Sequence, residues 1–265
     1  MSASLRRIWG MLYRHLCLYR RSWPRLLELA YWPILQMLIW GFTASFFAAR
    51  LGSPVAVAAG MLLAGVLLWE IALRTQMGVS ITFLEEIWSR NLGHVFVSPL
   101  RPAELVAALV AASALRMAAG VVPAALLAWV LYAFNLLAIG PIVVLYIACL
   151  MVMGWWVALM VISLILRHGS GAEALAWSVL FGLTPLSAVF YPVAVLPGWL
   201  QPVALALPSS HVFEGMRAGL AGHPSWFHLA AAIGLNAVWL VVAIMVFAAQ
   251  FRAARDRGAL ISIGE

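Results

Sequence analysis

The sequence predicts an all-α integral membrane protein with six transmembrane helices in a single domain, residues 1–265. Its composition and its length support this prediction. Of the 265 residues, 65% are hydrophobic and only 9% are charged, whereas a soluble globular protein carries about 25% charged residues. A helix that crosses the hydrocarbon core needs about 20 apolar residues, so the length suits about six spans joined by short loops.

Residues 1–22 are predicted to form an amphipathic helix that lies at the membrane surface. Apolar side chains recur along one side at helical spacing, and Arg7, Arg14 and Arg21 line the other side. Such arginines favour the anionic lipids of the cytoplasmic leaflet. No long apolar stretch or small-residue cleavage site follows, so a signal peptide is not expected. A disordered basic tail is the alternative.

Prolines and turn residues divide the remaining apolar sequence into six spans, at about 26–49, 55–83, 102–134, 142–166, 172–191 and 226–251. Pro24 and Pro102 stand in first helical turns, where proline is tolerated. The second span is about 43 Å long at 1.5 Å per residue, whereas the hydrocarbon core is about 30 Å thick. Its last turns are therefore expected to project into the cytoplasm.

The stretch between the second and third spans, residues 85–98, is the longest charged interval between two apolar runs. If it is helical, Trp88 falls on an apolar side, and Glu86, Arg90 and His94 fall on the opposite side. A proline at the next position ends such a helix. We expect a cytoplasmic helix that lies flat on the membrane with its charged side toward water. A surface loop that happens to be helical is the alternative.

Residues 192–222, between the fifth and sixth spans, are apolar but contain prolines at positions 192, 197, 202 and 208. A segment with this spacing of prolines cannot form one continuous helix. We expect short helices that re-enter the outer leaflet, which is possible only if protein covers the freed backbone groups.

The distribution of arginine predicts the orientation. All 16 basic residues are arginine, and the six spans place twelve of them on the side that holds both termini. Arg50 and Arg217 lie on the other side, and Arg74 and Arg116 lie within spans. Because positive loops stay inside, both termini are predicted to be cytoplasmic in a bacterial inner membrane.

The absence of lysine excludes two kinds of chemistry. A P-loop needs a lysine that reaches the phosphates, so the chain is not expected to hydrolyse ATP by that motif. Schiff-base chemistry is excluded for the same reason. Cys17 and Cys149 are far apart and suggest neither a disulfide framework nor a metal site. The arginines crowd at loop ends and form no basic face for nucleic acid, so the surrounding lipids are the expected contact.

Three charged residues within the spans are candidates for a translocation path. Glu70 and Arg74 are four residues apart on one helix, so they can pair. The pair marks either a substrate or gating site or a structural ion pair, because charges in hydrocarbon are costly. Arg116 has no acidic neighbour in its own span, and it either contacts Glu70 or meets an anionic group of a substrate.

His211 and Glu214 are candidates on the outer side, three residues apart in the proline-rich segment. They would need a third ligand to hold a metal. The other interpretation is that they bind backbone groups that the prolines leave unpaired.

Two stretches resemble the membrane subunits of ABC-2 type exporters. The first, EEIWSRNLGHVFVSPLRPAEL at residues 85–105, is similar to the segment after the second span in that family. Residues 187–222 resemble its outer hairpin, with F-x-P, L-P-x-W-L and a P-x-x-H that an arginine follows. In the first stretch, Asn91 to His94 replace a more acidic version that contains threonine.

The resemblance implies a homodimer of six-span subunits that works with two copies of a separate ATPase, which binds ATP and Mg²⁺. The N-terminal helix and the 85–98 coupling helix would be the docking surfaces, with Glu85, Glu86, Trp88, Arg90 and His94 as coupling residues. Substrates in such families include polysaccharides, lipo-oligosaccharides, glycolipids and hydrophobic drugs. The short loops make the compact polysaccharide, nodulation-factor and drug exporters closer in form than the members with long loops.

Two other classes of function stay open. One is an intramembrane lipid-modifying enzyme that uses Glu70, Arg116 or His211. The other is a secondary transporter, which is less consistent with the sequence because an inverted repeat is not evident and carboxylates within the spans are few. No cofactor or metal of the chain's own is predicted.

Overall fold

The computed structural model describes residues 3–20, 22–51, 53–89, 99–136 and 140–257. Within these ranges every regular element is helical, which confirms the predicted all-α class. The α-helices are α1 (Ala3–Arg20), α2 (Trp23–Leu51), α3 (Ser53–Trp88), α4 (Pro102–Tyr132), α5 (Ile142–His168), α6 (Leu175–Leu183), α7 (Gln201–Leu205), α8 (Pro208–Leu220) and α9 (Trp226–Asp256).

Five of the described helices, α2, α3, α4, α5 and α9, are long and apolar enough to cross a membrane. They correspond to five of the six predicted spans. The chain is therefore a multi-pass membrane protein. The N-terminal amphipathic helix is also present, as α1.

The predicted span at 172–191 is shorter than expected. It consists of the nine-residue helix α6 and a 3-10 turn, Thr184–Leu186. Together they rise about 20 Å, less than a hydrocarbon core of about 30 Å. Pro185 lacks the N–H that a continuing helix needs, and Ala188 has a left-handed φ of 55°. This apolar stretch therefore forms a short helix and a turn.

Helix α3 is the centre of the fold, since it packs against α2, α4, α5 and α6. It is mostly buried, as is α5, whereas α2 and α9 expose most of their surface. Glycines allow the closest approaches. A Cβ added at Gly154 of α5 would lie 2.9 Å from the Ala72 carbonyl oxygen of α3, so only glycine fits this crossing.

Residues 192–222 form short helices, as their prolines predict. A 3-10 turn at Val193–Val195 precedes α7 and α8, and each of the two helices has a proline in its first turn. The hydroxyl of Ser210 donates to the Leu186 carbonyl oxygen at 3.0 Å. Side chains of the segment thus satisfy backbone groups that the interrupted helices leave open.

The stretch 85–98 is described only in part. Residues 85–88 form the last turn of α3 and so continue the second span directly. Residues 90–98 lie outside the described residues, and with them Arg90 and His94 of the predicted coupling helix.

Candidate functional site

The first part of the site is an ion pair between α1 and the first turn of α4. Arg7 donates from Nε and Nη2 to Glu104 Oε2 and Oε1, at 2.8 and 2.6 Å. Ser4 Oγ donates to the same carboxylate at 2.6 Å, and so does the backbone N–H of Arg101 at 3.0 Å. The hydrogen bond to Glu104 raises the pKa of Arg7 above its usual value. The Glu104 carboxylate therefore joins α1 to the start of α4.

The second part is an ion pair between α1 and the last turn of α3. Arg14 Nη1 lies 3.0 Å from the Glu86 carboxylate, and His15 Nε2 lies 3.8 Å from the same group. Only 2% of the Glu86 side chain is exposed. The prediction that Glu86 lies on a side facing water is therefore wrong, because α1 covers its carboxylate and Arg14 balances its charge.

Trp88 makes the third contact at this end of the molecule. Its Nε1 donates to Glu173 Oε1 at 3.0 Å, which joins the end of α3 to the residues that precede α6. The side chain is 53% exposed, although the sequence places it on an apolar side. Glu85, also predicted as a coupling residue, is half-buried and faces a cavity.

Together, the two ion pairs hold both ends of residues 89–101 against one helix. Arg7 and Arg14 are seven residues apart, about two helical turns, so they extend from the same side of α1. Glu86 precedes the segment and Glu104 follows it. We call this arrangement, Arg7–Glu104 and Arg14–Glu86, the α1 clamp. A displacement of the segment would act on α1, α3 and α4 together.

Glu104, Ser4 and His15 also belong to this site, although the sequence pattern did not indicate them. The available signal is the spacing of Arg7 and Arg14, which also fits a side that faces anionic lipids. A pair of arginines two turns apart also fits two carboxylates on neighbouring helices.

Arg74 and Arg116 line one cavity of about 110 Å³, together with Glu28 and Glu85. Arg74 Nε donates to Glu70 Oε2 at 2.9 Å, so the predicted pair is formed. Arg116 Nη1 donates to Thr82 Oγ1 at 2.8 Å, and its guanidinium lies 4.9 Å from the Tyr19 ring centre.

The two outer candidates contact backbone and nearby side chains. His211 Nε2 lies 3.1 Å from the Leu205 carbonyl oxygen, and Nδ1 lies 3.2 Å from His228 Nδ1. Glu214 Oε1 accepts from the Val193 N–H at 2.7 Å. These contacts support the interpretation that the residues satisfy interrupted backbone. In the part of the chain that the structure describes, no three His, Cys, Asp or Glu side chains are grouped to hold a metal.

Comparison with known proteins identifies one family. The family described as ABC-2 type transporter matches residues 6–221, which extend from α1 to just past the end of α8. No protein of curated function matches the chain.

Proposed function

The chain belongs to the ABC-2 type transporter family, and on that basis we propose that it is the permease of an ATP-driven exporter. Members of the family are transmembrane subunits of ABC transporters and are not themselves catalytic. The proposed cargo is an amphipathic or glycan-containing molecule such as a polysaccharide, a lipo-oligosaccharide, a glycolipid or a hydrophobic drug. Two copies of the chain would form the path, with two copies of a separate ATPase that binds ATP and Mg²⁺.

The α1 clamp is the observation that carries this proposal. An ATPase that docks on residues 85–98 and on α1 would push against one connected unit, because the clamp joins α1 to Glu86 at the start of this stretch and to Glu104 beyond its end. Glu86 belongs to the last turn of α3 and Glu104 to the first turn of α4. Closure of the ATPase would therefore tilt α3 and α4 relative to α5, which packs on α3. This movement would open and close the path.

Glu85, Trp88, Arg90 and His94 are the proposed direct contacts with the ATPase. Glu86 has a different role in the proposal, since its carboxylate is buried against Arg14 and transmits force within the chain. The docking surface is proposed to face the cytoplasm of a bacterial inner membrane, with both termini on the same side.

Glu70, Arg74, Arg116, His211 and Glu214 stay proposed as residues near the path. Three of them belong to α3 and α4, and two belong to α8. An intramembrane enzyme would need reactive groups with free atoms for a substrate. Glu70, however, pairs with Arg74, and both ring nitrogens of His211 have neighbours within hydrogen-bond distance. The exporter is thus the better hypothesis.

The test is reconstitution with a candidate ATPase encoded by a neighbouring gene. We expect no ATP hydrolysis by the permease alone. With the ATPase, we expect hydrolysis and uptake of cargo by inverted vesicles. Glu85→Arg combined with Arg90→Glu should reduce uptake strongly, whereas Arg252→Glu, an exposed arginine at the end of α9, should not. Normal uptake by the Glu85/Arg90 variant would contradict the docking role, and ATP-independent uptake would contradict the exporter.

A further inference from the structure

Two cavities of different character meet beside α1. The polar cavity of about 110 Å³ holds Arg74, Arg116, Glu28 and Glu85. A second cavity of about 90 Å³ is almost entirely apolar and is lined by α1, α2 and α4. Tyr19, Leu29 and Arg116 line both, so the two cavities adjoin beside the aromatic ring on which the guanidinium stacks. A charged cavity therefore lies next to an apolar one. This arrangement fits an amphiphile.

The charges of the polar cavity select the kind of head group. Arg74 is already paired with Glu70, so Arg116 is the cation that a ligand would meet, and an anion alone would meet repulsion from Glu28. A zwitterion with one phosphate and one ammonium matches both signs, with the phosphate at Arg116 and the ammonium at Glu28. An ammonium also has N–H donors for the carboxylate, which a trimethylammonium group lacks.

Arg116, which lines both cavities, has a hydrogen-bond donor without an acceptor among the described residues. This donor is Nε, which is buried. An unpaired buried donor is costly, and more so on a charged group. A phosphate oxygen in the cavity would pair with it.

The depth of the cavity suits a lipid head group. Helix α2 ends at Leu51 and α3 begins at Ser53, and α3 has 36 residues where α2 has 29. The free end of α3 therefore extends about 10 Å beyond the start of α2. Glu28 lies in the second turn of α2, so the cavity opens near the level where that helix enters the membrane.

We propose that these two cavities bind one phospholipid of the phosphoethanolamine class from the surrounding membrane. Its phosphate contacts Arg116, its ammonium contacts Glu28, and part of one acyl chain occupies the apolar cavity beside Leu115 and Ala119. The lipid thereby bridges α1 to α2, α3 and α4. This binding does not depend on transport, so its failure would leave the exporter proposal unchanged.

The test is native mass spectrometry of the purified full-length chain in detergent. Phosphatidylethanolamine, phosphatidylcholine and phosphatidylglycerol with identical acyl chains are added in turn. We expect the ethanolamine lipid to be retained about fivefold more than either other lipid. Arg116→Gln and Glu28→Gln should each reduce retention about tenfold, because each loses a charge-assisted contact. Arg252→Gln, with an exposed side chain in α9, is the matched control and should bind as the wild type does.

Two further arms keep the result decisive if Arg116→Gln does not fold. Ala119→Trp fills the apolar cavity from an exposed position and should also prevent retention. Glycerophosphoethanolamine, a head group without chains, should not displace the lipid. Equal retention of phosphatidylglycerol would overturn the proposal, because the carboxylate of Glu28 would then play no part. Displacement of the lipid by the free head group would also overturn the proposal. The same is true if Arg252→Gln loses as much lipid retention as Arg116→Gln.

Discussion

His15 is a buried histidine at the clamp, and burial determines how it titrates. It is 1% exposed and faces Glu86, Arg14 and Arg116. Burial lowers its pKa, and the two arginines lower it further, while Glu86 opposes them. The docked α1 therefore favours neutral imidazole. When α1 is released into water, the imidazole regains an ordinary pKa of about 6.5.

The first prediction is that α1 is released more readily in acid. Above about pH 6.5, His15 is neutral in both the docked and the released states, so it has no effect. As the pH falls through this value, the released helix gains a proton and the docked helix does not. Docking should weaken until the lowered pKa is reached.

A spin label on Cys17, which is exposed on α1, measures this release in a Cys149→Ser background. The mobile fraction of the label should rise between pH 7 and pH 5.5. His15→Phe, which keeps an aromatic ring without a titrating group, should reduce the rise. An identical rise in both proteins would contradict the role of His15 in the release.

Gly154 gives a second prediction at the scale of one residue. An added Cβ would lie 2.8 Å from Thr75 Cβ and 2.9 Å from the Ala72 carbonyl oxygen, which belongs to backbone and cannot rotate away. Gly154→Ala should force α3 and α5 apart and destabilise the protein by about 1–3 kcal/mol.

Gly234 is a matched control for this substitution. It is also inside a long helix, α9, and an added Cβ there would meet no described atom within 4 Å. Gly234→Ala should be neutral or slightly stabilising, since alanine favours helix. Thermal unfolding in detergent compares the two, and equal midpoints would contradict the close α3–α5 crossing.

At the scale of helices, the α1 clamp predicts that charges can be exchanged across it. Arg7→Glu leaves two carboxylates facing each other, and Glu104→Arg leaves two cations. Each should reduce ATP-dependent uptake about tenfold, consistent with coupling energies near 1.4 kcal/mol between contacting residues. The double variant restores opposite charges and should recover most of the uptake.

Exchanging the charges of a second ion pair tests whether the effect on uptake depends on the position of the pair or only on the change of charge. Arg255 and Asp256 at the end of α9 are exposed and lie 3.6 Å apart. Exchanging them should leave uptake unchanged. If the Arg7–Glu104 double variant stayed as defective as its two parents, the pair would have no role in transmitting force.

Most of the helices could be predicted from the sequence, because hydropathy and the positions of prolines are local properties. The broken segment at 192–222 and the long second helix are examples. Hydropathy could not predict the true length of the 172–191 helix. The helix ends near Pro185 and the left-handed Ala188, whereas the sequence stays apolar beyond them. The Glu70–Arg74 pair was predictable because its residues are four apart on one helix.

The clamp was not predictable in the same way. Arg14 and Glu86 are 72 residues apart in sequence, and no local sequence feature predicts that α1 packs over the end of α3. The pattern of Arg7 and Arg14 fits lipid head groups as well as it fits two carboxylates. Only the packing of α1 against α4 distinguishes the two, and it places Glu86 beneath the helix.

For the whole molecule, the exporter mechanism depends on which side of the membrane holds the clamp. Twelve of sixteen arginines lie with the termini in the predicted topology, and the clamp uses two of them. The clamp and the contact from Trp88 to Glu173 lie at the same end of α3. An ATPase can act on this end only if it is cytoplasmic.

Cysteine labelling in a Cys17→Ser background tests this orientation with two tryptophan positions. Trp88 is 53% exposed beside the clamp, and Trp199 is 77% exposed in the segment 192–222. In intact cells without an outer membrane, an impermeant maleimide should label Trp199→Cys and not Trp88→Cys. Inverted vesicles should show the opposite pattern. Because the remaining Cys149 is buried, background labelling should be low. Labelling of Trp88→Cys from the outside would place the clamp beyond the reach of any ATPase, and the proposed mechanism would then fail together with the predicted topology.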